Sequence, residues 1–162
     1  MPNSSNDPKQ QFEAVEAILT GWLKERRAVL GKYTEIVVAL DSNLAEDDLQ
    51  KRQHGLCELL VDYVSAGHFE VFHELINEAE SFDDGSCTLA EKLMPAIGDT
   101  TEVILAYEEK YSSAHGHQEK LKRDLSSLGE VLESRFVMED QLIAGLHNRH
   151  RRLVQDQASL SS

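Results

Sequence analysis

The sequence predicts an all-α protein, an antiparallel up-and-down helical bundle of four main helices and one short helix. Three observations carry this. Apolar residues recur every three or four positions along most of the chain, alternating strand patterns are almost absent, and only 3 prolines and 9 glycines interrupt 162 residues. The helical domain is expected over residues 10–154, with a disordered tail at 1–9 and a frayed tail at 155–162.

The first helix is expected from Gln10 to Leu40. Its apolar face reads Phe12, Val15, Ile18/Leu19, Trp22/Leu23, Arg26, Leu30, Tyr33 and Val37. Asp41-Ser42-Asn43 reads as a turn, and Ser42 or Asn43 is placed to cap a second helix. Glu46, Asp47 and Asp48 suit the positive N-terminal end of that helix. It carries Leu49, Leu56, Leu59/Leu60 and Tyr63, and it should end or bend at Gly67. A short third helix follows over His68–Phe82, with Phe69, Phe72, Leu75, Ile76 and Ala79 on its face.

Asp83-Asp84-Gly85-Ser86 is a loop by composition. The fourth helix starts near Thr88, and Pro95 either kinks it or marks its true start. Ile97, Val103/Ile104, Tyr107 and Tyr111 continue its face, and Ser112–Gly116 breaks it. The last helix spans His117–Asn148 with the stripe Leu121, Leu125, Leu128, Leu132, Phe136, Glu139, Ile143 and Leu146. Arg149, Arg151 and Arg152 then fall where a helix C-terminus favours cations.

The totals exclude several classes. No apolar run reaches the ~18–20 residues of a membrane span. The polar start, Met1–Gln11, lacks the layout of a secretory signal, so a cytoplasmic protein is expected. Cys57 and Cys87 form no paired motif and read as free thiols. The net charge is −13, and it is concentrated: Asp41–Glu109 holds 17 acids against 3 bases. Such a block repels nucleic acid and anionic lipid and attracts basic partners, or it serves only to keep the chain soluble.

No phosphate loop, nucleophile elbow or zinc-protease helix motif is present. Glu70-x-x-His73 resembles half of a di-iron ligand set, but the second copy is missing. His54-x-x-Cys57 and His147-x-x-His150 complete no site, and these histidines are read as surface residues. No metal or cofactor is therefore assigned. Glu139 stands out because it interrupts an apolar stripe, and a carboxylate facing a core needs a partner. Arg135, one turn earlier, is one candidate; Asp62 and His68 are others. Trp22, the single tryptophan, suits either a core anchor or an interface centre.

Two segments carry a resemblance. One is Leu60-Val61-Asp62-Tyr63-Val64-Ser65-Ala66-Gly67-His68-Phe69; the other is Gly129-Glu130-Val131-Leu132-Glu133-Ser134-Arg135-Phe136-Val137-Met138-Glu139-Asp140-Gln141-Leu142-Ile143. Together with Trp22-Leu23-x-x-Arg26, they resemble the Rsd/AlgQ family of regulators of sigma D. The resemblance implies an all-helical anti-sigma factor, without enzymatic activity or cofactor, acting in stationary phase. Its implied partner is sigma-70, the primary sigma factor of RNA polymerase, bound mainly at region 4. That region is a helix-turn-helix that reads the −35 element and docks on core polymerase. The family's marker aspartate maps to Asp62, which leads the implied sigma-binding residues. Trp22, Arg26, Ser65, His68, Phe69, Phe136 and Glu139 follow. Gly31-Lys32-Tyr33 departs from the bulkier family pattern, which weakens the far end of the first helix as a contact surface. The resemblance also brings in alginate control and the phosphocarrier protein HPr, neither of which the residues themselves favour. The free chain is expected to be a monomer that binds neither nucleic acid nor membrane. A metal-binding bundle and an acidic adaptor for another basic protein are the rival readings.

Overall fold

The computed structural model describes residues 7–42, 45–112 and 118–161. Six α-helices account for nearly all of these: α1 (Pro8–Leu40), α2 (Glu46–Ala66), α3 (Phe72–Phe82), α4 (Cys87–Tyr111), α5 (Gln118–Ile143) and α6 (Arg149–Ser161). Two wide π-helical turns, Gly67–Val71 and Ala144–Asn148, join α2 to α3 and α5 to α6. The chain therefore makes four long helical columns: α1, α2–α3, α4 and α5–α6. Cross-column partners define their sense. Gln11 meets Glu74 while Trp22 meets Tyr63. Tyr33 meets Leu125 while Arg26 meets Glu139. Gln53 meets Tyr107 while His68 meets Thr101, and Lys110 meets Asp124 while Arg135 meets Thr101. In every pair one number rises as the other falls, so neighbouring columns run antiparallel.

Local chemistry explains the starts and stops. Asp7 accepts the Lys9 N–H at 3.1 Å, with Pro8 opening α1, where its missing N–H costs nothing. The cap expected from Ser42 is not made; its hydroxyl donates back to the Ala39 carbonyl at 2.9 Å. Asn43, the other proposed cap, lies outside the described residues. Helix α2 begins with Ala45 at its cap position and no side-chain cap bond, so the acids of its first turn oppose the helix dipole's positive end alone. Asp83 (φ 49°) and Gly85 (φ 83°) take left-handed conformations and turn the chain from α3 into α4. Pro95 is accommodated inside α4, which starts at Cys87. The expected third helix is a continuation of α2 through a π turn. The expected frayed tail from Gln155 is helical through Ser161.

The core follows a stricter repeat than the apolar residues alone suggest. On α1 the inward positions are 12, 15, 19, 22, 26, 29, 33 and 36, alternating steps of three and four. On α5 and the π turn that follows it they are 121, 125, 128, 132, 135, 139, 142 and 146. This is a seven-residue repeat, the spacing that lets antiparallel helices pack knobs into holes. The sequence expectation drifts off it at Leu30 and Val37, which are exposed while Val29 and Ile36 are buried. On α5 it takes Phe136 where the repeat takes Arg135.

Close approach of α1 and α5 depends on Gly129. The Tyr33 ring lies directly over its backbone, with the hydroxyl donating to the Leu125 carbonyl at 2.9 Å. A Cβ on residue 129 would fall on that hydroxyl. Gly129→Ala should destabilise the fold by about 1–3 kcal/mol through overpacking. Chemical denaturation checks this. Tyr33→Phe in the same chain should recover part of the loss; an unchanged midpoint in the single variant would disprove the packing account.

Candidate functional site

The centre of the bundle holds a charge. Glu139 is fully buried on α5, and three donors converge on its carboxylate. Arg135 Nε donates to Oε2 at 2.8 Å, Arg26 Nη2 donates to Oε1 at 3.0 Å, and the Tyr63 hydroxyl donates to Oε1. Burial raises this carboxyl above its ordinary value, against the pull of Arg135, Tyr63 and Arg26. Two guanidiniums, which can only donate, and the Tyr63 hydroxyl converge on it, an arrangement that suits the carboxylate.

The network ties all four columns. Arg26 of α1 also donates to the Tyr63 hydroxyl at 3.1 Å and to Asp140 at 2.7 Å, and its guanidinium stands 4.7 Å from the Phe136 ring centre. Burial disfavours the Arg26 cation, but Tyr63, Asp140 and Glu139 hold its pKa above the ordinary value. Arg135, with no exposed surface, reaches α4 through Thr101 Oγ1 (2.6 Å), Thr100 Oγ1 (3.1 Å) and the Ile97 carbonyl (3.3 Å). Its Nη2 finds no hydrogen-bond partner among the described residues. Thr101 in turn meets His68 Nε2 at 3.1 Å, which brings in the π turn after α2. Burial and the Arg135 charge both lower the His68 pKa. Trp22 stacks on Tyr63 at 4.7 Å and donates its indole N–H to the Tyr63 carbonyl at 3.1 Å.

A surface of opposite character lies outside this network. Asp62 and Phe69 are exposed, Phe69 by 85%. Glu25 of α1 is raised above the ordinary carboxyl value by partial burial and by the charges of Asp62 and Glu70. Asp62 also lines a cleft with Glu58, Val61 and Glu108. The pattern has a backbone cause. The π turn adds one residue to a helical turn, so Glu70, eight positions after Asp62, returns to the side that faces Glu25. An exposed aromatic ring next to a group of carboxylates is a feature of interaction surfaces.

The structure sorts the residues expected to contact a partner into two groups. Trp22, Arg26, Phe136 and Glu139 belong to the inner network or pack against it, and His68, itself exposed, reaches it through Thr101. Phe136 is half-buried and lines a groove with Leu30, Tyr33 and Val137. Asp62 and Phe69 are on the outer surface, with Ser65 half-buried between them in sequence. A single cluster of Asp62, His68 and Glu139 is not formed: Asp62 faces outward, and His68 connects to Glu139 only through Thr101 and Arg135. Phe69, expected on an apolar helix face, is the most exposed large apolar residue described. Tyr63 is the member of the network that sequence reasoning assigned only to the core. Its position directly after Asp62 carried no polar signal. His147 and His150, expected at the surface, are fully buried, while His54 and His73 are exposed. Among the described residues no group of three His, Cys, Asp or Glu side chains is placed to hold a metal ion, and no helix is long and apolar enough to cross a membrane.

The chain is thus an antiparallel helical bundle with a buried ionic core and an acidic outer surface that carries an exposed aromatic ring. Comparison with known proteins makes the assignment specific. The family described as "Regulator of RNA polymerase sigma(70) subunit, Rsd/AlgQ" matches residues 1–147, and the chain belongs to it. Proteins named "Regulator of sigma D" are similar over 147 residues: 34% identical in Salmonella paratyphi A, covering 88% of this chain and 90% of that protein. In Yersinia pseudotuberculosis the identity is 29%, covering 88% and 87%. No solved structure gives a significant match.

Replacing Glu139 by Gln keeps the shape, leaves the buried Arg135 guanidinium without its counter-charge and leaves Arg26 with Asp140 alone. Breaking a buried ion pair from one side costs about 3–5 kcal/mol. Glu139→Gln should therefore lower the denaturation midpoint strongly. Trp22 emission, from a ring only 2% exposed, reports the unfolding. A loss below about 1 kcal/mol would mean that the network contributes only as much as a surface ion pair.

Proposed function

We propose that this chain is an anti-sigma factor that grips region 4 of sigma-70 through the surface around Asp62, Glu25, Glu70 and Phe69. The observation that carries this reading is the exposed Phe69 ring next to Glu70, whose charge together with that of Asp62 adds to partial burial in raising the Glu25 carboxyl. A helix-turn-helix presents Lys and Arg where DNA phosphates would lie. The acidic surface offers those cations an alternative, and the aromatic ring supplies an anchor that charge alone does not. Occupying region 4 in this way withholds it from the −35 element and from core polymerase. The action is stoichiometric, non-enzymatic and cytoplasmic, with a monomeric free chain. Nothing in the geometry favours HPr as a second partner.

In this reading the inner network positions and the outer residues touch. Trp22, Arg26, Phe136 and Glu139 brace α1, α2 and α5 so that Asp62 and Glu25 keep their spacing. The two groups of variants then separate by experiment. Asp62→Lys should weaken binding of isolated region 4 at least about tenfold, roughly 1.4 kcal/mol, and should flatten its salt dependence. Phe69→Ala should raise the dissociation rate. Both variants should keep the wild-type circular dichroism and melting behaviour, because both side chains are exposed. Titration of the full chain against region 4 at low and high salt checks all of this. Salt-insensitive binding, or wild-type affinity in Asp62→Lys, would move the contact surface elsewhere. No binding by the wild type would favour a different basic protein as partner.

A further inference from the structure

A second buried ionic chain lies at the other end of the bundle, and the sigma-binding reading makes no use of it. It reads Glu16, His147, Glu78, His150, Asp84. His147 Nδ1 is 2.5 Å from Glu78 Oε1, and its Nε2 is 2.6 Å from Glu16 Oε1. His150 Nδ1 is 2.6 Å from Glu78 Oε2, and its Nε2 is 2.9 Å from Asp84 Oδ2. Glu78 and both histidines have no exposed surface, and the ring faces are covered by Phe12 at 4.2 Å and Phe82 at 4.0 Å. Arg151 makes two bonds of 3.0 Å to Glu16, and Arg149 stands 3.3 Å from Asp84. On the α4 side the packing neighbour is apolar, with Leu89 against Gly145.

An imidazole with a carboxylate at each nitrogen can serve both only when it carries two protons. The neutral ring would leave one carboxylate facing a lone pair inside the core. We propose that this chain is a proton-dependent clasp, closing the C-terminal helix α6 onto the start of α1 and the α3–α4 loop and loosening as the His147 imidazole loses its second proton. The clasp stands on geometry that crosses three elements. His147 lies in the π turn Ala144–Asn148, and the widened turn separates the phase of α6 from that of α5.

The sign of the pH response follows. Burial works against the His147 cation, but Glu78 and Glu16 outweigh it and raise the pKa above the ordinary 6.5. A raised histidine stabilises fully below 6.5 and loses that contribution as pH rises through its folded value. Glu16 is lowered from 4.5 by Arg151 and His147. Asp84 is lowered to about 2: burial opposes ionisation, but Ser86 and His150 outweigh it. These carboxylates stabilise above their ordinary values and lose the contribution as pH falls through the lowered ones. The clasp is therefore firmest between about pH 4.5 and 6.5 and weakens on the alkaline side.

Two measurements on the full chain test this. Nitrogen-15 spectra of the imidazole rings read protonation directly, and His147 should show imidazolium shifts at pH 6.5, with a midpoint above that value. Hydrogen exchange, corrected for its intrinsic pH dependence, should show protection of the α6 amides falling by up to about tenfold per pH unit above the midpoint for each proton lost. Protection in α4 should hold. Glu16→Gln, at a half-exposed position that tolerates change, should lower the His147 midpoint. Glu78→Gln should abolish the pH response if it folds. A neutral His147 ring at pH 6, or α6 protection that is constant from pH 6 to 8.5, would overturn the proposal. Neither result bears on sigma binding.

Discussion

The bundle is organised around a charge that has no route to water. Glu139 sits at an inward position of a seven-residue repeat where leucine would cost nothing, and α5 can bury it only if donors arrive from other columns. Arg26 from α1, Tyr63 from α2 and Arg135 from its own helix meet that demand together. Arg135 then requires acceptors, and the α4 hydroxyls and carbonyl provide them. An apolar core tolerates sliding of one helix past another by a turn. A carboxylate with three directed donors does not, because a slip would strand several buried polar groups at once. The network thus fixes register more than it adds net stability, a use of buried ions well attested in helical assemblies.

The same requirement explains what could be read from the sequence. The helical class, the loop at 83–86 and the end of α2 at Gly67 follow from local chemistry, because periodicity and turn residues act over a few positions. The role of Glu139 was half legible. Its place on an apolar stripe demanded a partner, and Arg135 was within one turn. Arg26 was not identifiable as a partner, since it lies 113 positions away. His147 and His150 were misplaced for the same reason. Their spacing matched an exposed polar face, and the residue that makes burial tolerable, Glu78, is 69 and 72 positions away. On α5, choosing Phe136 over Arg135 reflects a rule of thumb that rings go inside. The repeat itself pointed to 135, and the charge disguised it.

Phe69 shows the opposite failure. Its spacing from Phe72 and Leu75 fits a helix face, but that inference assumes an ordinary turn. The π turn at Gly67–Val71 adds a residue and rotates what precedes it. Phe69 is carried out to solvent while Val71 and Phe72 stay in the core. A short-range propensity for helix cannot distinguish the two phases. The distinction comes from tertiary packing, where Trp22 fits against the wide turn and stacks on Tyr63.

Inner and outer surfaces are alternate residues of the same helices, and this links register to binding. Tyr63 and Arg26 face inward; their neighbours Asp62 and Glu25 belong to the acidic exterior. The interior carboxylate has its cations. Outside, the charges of Asp62 and Glu70 add to partial burial in raising the Glu25 carboxyl. The network beneath holds α1 and α2 at the register that brings these three carboxyls together. In the proposed reading a basic partner meets that pattern of charge, and the ionic core sets its geometry: a slip of one helix past the other would scatter the exterior carboxyls as surely as it would strand the buried donors.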